Sequence, residues 1–121
     1  MSLIKDFNGI AFYVTDLGKA REFYVNMLGF EVTYEMDYGI FIKCGEITGY
    51  IEGGRKPFDI EPLTYPTICP VFKVESVKKA FQELKDKSAN FVEEYRNFSD
   101  DFAMFSIADP DGNVIEFAGQ P

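Results

Sequence analysis

Glu116 is the residue that could do chemistry. It stands between Ile115 and Phe117 in "NVIEFAG", a short apolar stretch that reads as a strand. A carboxylate there either faces water on a half-exposed strand or points into a site. In a partly apolar site, desolvation raises its pKa, and it can then serve as a general base or bind a cation. Cys69 is a weaker candidate. A nucleophilic thiol needs a base or a positive environment to become thiolate, and the chain has no histidine. Beside Pro70, Cys69 reads as a small buried hydrophobe, and Cys44 reads the same way. The two cysteines form no CxxC, and no histidine completes a zinc set. One disulfide is possible but nothing requires it, so a reducing cytoplasm is expected.

The aromatic residues offer a different chemistry. Tyr13, Tyr34, Tyr38, Tyr50 and Tyr65 could wall a groove that binds flat or cationic molecules by stacking and cation–π contact. Phe12, Phe41, Phe72, Phe102 and Phe105 alternate along strands, and some of them must be core. Which parity faces a groove is not readable from spacing. Arg96 in "EEYRN" could pair a ligand carboxylate, but a solvated ion pair is the simpler reading. The lysines of "VKKAFQELKDK" alternate with acids and form a solvated helix face. Asp109 and Asp111 flank Pro110 in "DPDG", which is turn chemistry, with Gly112 taking the left-handed position.

These residues need elements to hold them. The chain has 121 residues, 46% of them hydrophobic, enough for a globular domain with one sizeable core. "GIAFYVT" reads as a strand. Asp16 caps a helix in "DLGKAREFYVNML", with Leu17, Ala20, Phe23, Tyr24, Met27 and Leu28 at helical spacing and Gly29 as its stop. Three short strands follow in "FEVTYEMDY", "IFIKCG" and "ITGYIEGG". The Gly- and Pro-rich stretch after them reads as a linker. Then the order repeats: strand "ICPVFKV", helix "ESVKKAFQELKDKSA" with Val77, Ala80, Phe81 and Leu84 inward, and strands "FVEEYRNF", "FAMFSIA" and "NVIEFAG". A shift of sixty residues superimposes Val14 on Val74 and Ala20 on Ala80. The expected organisation is one domain made of two βαβββ modules, 7–54 and 67–119, joined by a linker at 55–66.

Composition excludes several functions. The net charge of −8, with no basic run, argues against nucleic acid and anionic membrane surfaces. The longest uncharged run, "LTYPTICPVF", is about half of what a spanning helix needs. "MSLIKDFNG" meets an acid too early for a signal peptide.

With "FYVTDLGKAREFYVNMLGFEV" near its start and "ADPDGNVIEF" at its end, the chain resembles the vicinal oxygen chelate superfamily of glyoxalase I, bleomycin-resistance and extradiol dioxygenase proteins. The resemblance covers about residues 7–119. It implies an α+β fold in which paired βαβββ modules form curved mixed sheets around a shared groove. It also implies a role for Glu116, because metal-using members carry a glutamate ligand at this point of the last strand. The partner positions align to Gly9 on the first strand, about Gly49 on the fourth and Cys69 on the fifth. Tyr50 or Glu52 takes the fourth-strand place if the register differs. Glycine offers no ligand, and a thiolate with one carboxylate suits a hard divalent ion poorly. The expectation is therefore a metal-independent small-molecule binder with a groove at Gly9, Gly49, Tyr50, Cys69 and Glu116. A cationic or aromatic drug is its expected ligand class and a homodimer its expected assembly. No cofactor is expected, although a divalent metal stays open. The alternatives are a lyase, isomerase or dioxygenase with an atypical site around Glu116, and a degenerate subunit whose groove is closed.

Overall fold

The computed structural model describes residues 9–55 and 68–121. The chain divides into two compact units, residues 1–58 and 59–121. The linker expected at 55–66 lies, apart from Arg55, outside the described residues, and so does Tyr65.

The first unit is a four-stranded mixed sheet with one helix. Strand β1 (Ile10–Tyr13) leads into α1 (Leu17–Arg21), and β2 (Glu31–Glu35), β3 (Gly39–Cys44) and β4 (Ile47–Glu52) follow. The strand order is β1-β4-β3-β2, with β1 and β4 parallel and the other pairs antiparallel. The Asp16 carboxylate accepts the Lys19 N–H at 3.1 Å, the expected cap. The helix does not stay α. From Glu22 to Met27 it widens into a π-helical stretch, with the Leu28 N–H reaching back five residues to the Phe23 carbonyl at 3.0 Å. The wider turn accompanies burial of both Phe23 and Tyr24, adjacent positions that a single narrow stripe would not hold together. Tyr24 stacks on Phe12 of β1 at 4.7 Å between ring centroids. Phe12, Ile40, Ile42 and Ile51 complete this core on the helix side of the sheet. Gly29, at φ +83°, takes the left-handed position after the helix.

The second unit repeats the plan. Strand β5 (Val71–Val74), helix α2 (Val77–Asp86), β6 (Asn90–Asn97), β7 (Ala103–Ala108) and β8 (Val114–Gly119) form a sheet of order β5-β8-β7-β6. Ser76 caps α2 through the Lys79 N–H at 3.3 Å. Val77 and Leu84 are buried, and Ala80 and Phe81 are half-buried on the same stripe. Phe105, Ile107, Ile115 and Phe117 form the core beneath. Asp109 makes the turn before β8. Its carboxylate accepts the N–H groups of Asp111 and Asn113 at 2.9 and 2.8 Å, and Gly112 sits at φ +88°.

In both units side chains alternate across the sheet, so one face meets the helix and the other faces away. This fixes the parity that spacing left open. Phe12 and Phe105 are core. Phe41 lies on the face away from the helix, and Phe102 is exposed outside the strands. Among the described residues, no helix is long and apolar enough to cross a membrane.

Candidate functional site

The register of the two sheets shows which positions are equivalent. Glu116 lies between Val71 on β5 and Ser106 on β7. In the first unit, Tyr50 lies between Ala11 on β1 and Phe41 on β3. Ala11 and Val71 are sixty residues apart, as are Gly9 and Cys69. Tyr50 is therefore the counterpart of Glu116, although those two are sixty-six residues apart. Gly49, one residue earlier, turns the other way. A Cβ there would meet the Ile10 carbonyl at 3.0 Å and the side chains of Ile10 and Ile42 at 3.3 Å, on the core side.

The face away from the helix in the first unit is an aromatic wall. Tyr34, Phe41 and Tyr50 lie in a row across β2, β3 and β4, with ring centroids 6.2 and 4.9 Å apart. Beside this row is a cavity of about 450 Å³, lined by Gly9, Ile10, Ala11, Phe41, Thr48, Gly49 and Tyr50. Gly9 and Ala11 help keep it open, because side chains this small leave the space beside the rings unfilled.

A polar network borders the wall. The Tyr50 hydroxyl donates to Glu52 Oε1 at 2.8 Å, and the Arg55 Nε–H donates to the other carboxylate oxygen. The Arg55 guanidinium also lies over the Tyr13 ring, 4.1 Å from its centroid. Burial, and then the bond to Glu52, push the Tyr50 hydroxyl up to about 12. The bonds from Tyr50 and Arg55 hold Glu52 below the usual carboxylate range. The tyrosine is thus neutral and the glutamate ionised throughout the physiological range. From sequence, Glu52 is only a register alternative to Gly49 on the fourth strand. Its spacing of two from Tyr50 on one strand was the signal for a same-face pair.

The second unit carries Glu116 on its corresponding face, half-buried beside Ser106, whose buried hydroxyl accepts the Glu93 N–H at 3.2 Å. Desolvation, with Glu93's charge behind it, raises the Glu116 pKa. Cys69 donates its thiol hydrogen to the Val114 carbonyl at 3.2 Å, and desolvation together with Glu116 raises its pKa as well. It is held as a thiol. Cys44, expected to be buried, is exposed at the end of β3, because the strand finishes there and only a turn follows. Arg96 has the solvated pairing expected of it, 3.6 Å from Glu93.

Taken one by one, the positions that the family resemblance marks as metal ligands offer few donors. Gly9 offers no side chain, Tyr50 has its proton committed to Glu52, and Cys69 keeps its own. Among the described residues, no three of the Cys, Asp and Glu side chains gather as a metal site would require.

Glu116 has a consequence for stability. Its folded pKa lies above the unfolded value, so the folded state holds the proton more tightly. Stability then falls as pH rises from the unfolded pKa through the folded one, and the penalty is complete above both. Glu116→Gln is therefore expected to be more stable than the parent in urea at neutral pH, with the difference closing as pH drops through the carboxylate range. An equal difference at all pH values would show that Glu116 titrates as an ordinary surface acid.

Paired βαβββ units with mixed sheets are the architecture of glyoxalase-fold proteins, and solved structures match it over nearly the whole chain. The crystal structure of SMU.1112c has 31% identity and a TM-score of 0.78, covering 95% of this chain and 98% of that one. The glyoxalase family protein from Enterococcus faecalis has 24% identity and a TM-score of 0.77, covering 97% and 99%. The lactoylglutathione lyase from Agrobacterium tumefaciens has 19% identity and a TM-score of 0.71, covering 94% and 93%. No curated protein matches. The chain belongs to the Glyoxalase/Bleomycin resistance protein/Dioxygenase superfamily, whose family model matches residues 6–117.

Proposed function

We propose that this protein is a metal-independent binder of small flat molecules, aromatic or cationic, working as a homodimer in the cytoplasm. The observation that carries the reading is the cavity of about 450 Å³ beside Phe41 and Tyr50, with the small Gly9 and Ala11 on the neighbouring strand edge. Its size suits a two- or three-ring ligand, and apolar walls with a few fixed polar groups are what such a ligand needs. The position where the family places a histidine is a glycine here, and the fourth-strand position is a tyrosine engaged with its neighbour. The exposed Tyr34 and Phe41 supply apolar surface on the face of the wall for a ligand or a second copy.

The test is thermal unfolding of chelator-treated protein against a panel of flat aromatic and cationic compounds, including a cationic glycopeptide antibiotic. A ligand present at a hundred times its Kd adds about 2.7 kcal/mol of stability. The reading predicts such a shift with no metal added. If every compound leaves the melting temperature unchanged at high excess, or if binding requires added nickel, zinc, manganese or iron, the reading fails.

The desolvated Glu116 favours a second reading, in which it is a general base acting on a substrate held at the face of the second unit. Turnover of a hemithioacetal or catechol that disappears in Glu116→Gln would establish it.

A further inference from the structure

We infer that the Glu52–Tyr50 pair makes the Phe41–Tyr50 wall selective for flat cations over neutral molecules of the same shape. The inference rests on the binding reading above and names the ligand class for that cavity. Three observations carry it.

The first is the hydrogen bond. A phenol that donates to a carboxylate gains electron density on its oxygen and ring, and an electron-rich π-face attracts a cation more strongly. Tyr50 donates to Glu52 at 2.8 Å and also lines the cavity. The second is the room made for that bond. Gly39 sits across from Glu52 in the β3–β4 register, and a Cβ there would come within 2.7 Å of the Tyr50 hydroxyl. The backbone at Gly39 has an ordinary negative φ, so its glycine is not required by conformation. A Cβ would also come within 2.8 Å of the Ile51 carbonyl, so the glycine makes room for the neighbouring strand's backbone and for the tyrosine's reach to the glutamate together. The third is that a cation already stacks on this face. The Arg55 guanidinium lies 4.1 Å from the Tyr13 centroid while bonding Glu52. That arrangement shows the same carboxylate and a neighbouring ring accepting a planar cation together.

Arg55 is also the internal competitor. It neutralises part of Glu52's charge, and removing it leaves the carboxylate to act on Tyr50 and the ligand alone. A flat cation from outside is therefore expected to bind more tightly once Arg55 is gone.

The experiment compares two probes of nearly the same shape, N-methylacridinium, a cation, and acridine, which is neutral at neutral pH. Both are titrated into the full chain and followed by their fluorescence. Wild type is expected to prefer the cation by about tenfold, the scale of one partly desolvated cation–π contact. Glu52→Gln is expected to remove that preference while acridine binds as before, and Tyr50→Phe to reduce it. Arg55→Gln is expected to strengthen the cation's binding. Glu83→Gln on α2, which removes the same charge from the other unit, is expected to change neither probe. Equal affinity of wild type for both probes overturns the selectivity but leaves the binding reading standing. Loss of both probes in Glu52→Gln overturns it too, because the glutamate would then be holding the wall together. If neither probe binds wild type at all, the selectivity falls, and the thermal panel described above decides the binding reading separately.

Discussion

Phe105→Ala should cost about 4 kcal/mol of folding free energy, close to the whole stability of a marginal domain. Phe105 is fully buried in the middle of β7, the strand between β8 and β6. Its ring packs against Phe117 at 5.1 Å, Phe81 of α2 at 5.5 Å and Phe91 of β6 at 5.9 Å between centroids. Three elements therefore lose a shared partner at once. The cavity left behind has ring walls on several sides, and rings cannot close it by rotating a methyl group. The same strand holds Ser106, which lies beside Glu116, so the face carrying that acid should loosen with the core. Urea unfolding measures the loss, and Phe102→Ala is the control, because that residue is exposed and outside the strand and should change stability by no more than about 0.5 kcal/mol. A cost for Phe105→Ala below about 1.5 kcal/mol would mean that the aromatic cluster repacks as readily as a volume-conserving swap allows.

The fold was legible because each element carried its own punctuation. Asp16 before Leu17, Gly29 after Leu28 and the turn residues of "DPDG" mark ends by local hydrogen bonding that needs no tertiary partner. The π-helical stretch after Arg21 was not legible. Phe23, Tyr24 and Met27 satisfy α spacing equally well, and the choice depends on the packing of Tyr24 between Phe12 and Phe30. The site was legible in part. The sixty-residue shift locates Gly9 and Cys69 correctly as equivalents, because both precede the first strand of their unit. It fails at the last strands, because β6 runs for 8 residues where β2 runs for 5, and the turns before and after β7 are longer than those around β3. Those extra residues carry Glu116 past the constant shift, and only the hydrogen-bonded register identifies Tyr50 as its counterpart. Cys44 was misread for a related reason. A cysteine's burial depends on where its strand ends, and the end of β3 is set by the turn at Gly45.

Ala11→Phe should weaken ligand binding by about two orders of magnitude and leave the fold intact. Ala11 is exposed on β1, on the face away from the helix, and is paired in register with Tyr50. A phenyl ring there stands in the space that the 450 Å³ cavity occupies, against Phe41 and Tyr50. It is a good strand former and disturbs none of the core residues Phe12, Ile40 or Ile51, so the melting temperature should hold or rise slightly. The affinity of any ligand that sits on the wall should fall by about a hundredfold, equivalent to about 2.7 kcal/mol. Val71→Phe is the matched experiment, because Val71 holds the same place in the second unit, exposed and paired with Glu116. Titration of both variants with the best ligand of wild type separates the two functional readings. Binding lost in Ala11→Phe and kept in Val71→Phe assigns the ligand to the aromatic wall. The opposite pattern assigns it to the Glu116 face of the second unit, and the cavity beside Ala11 then plays no part.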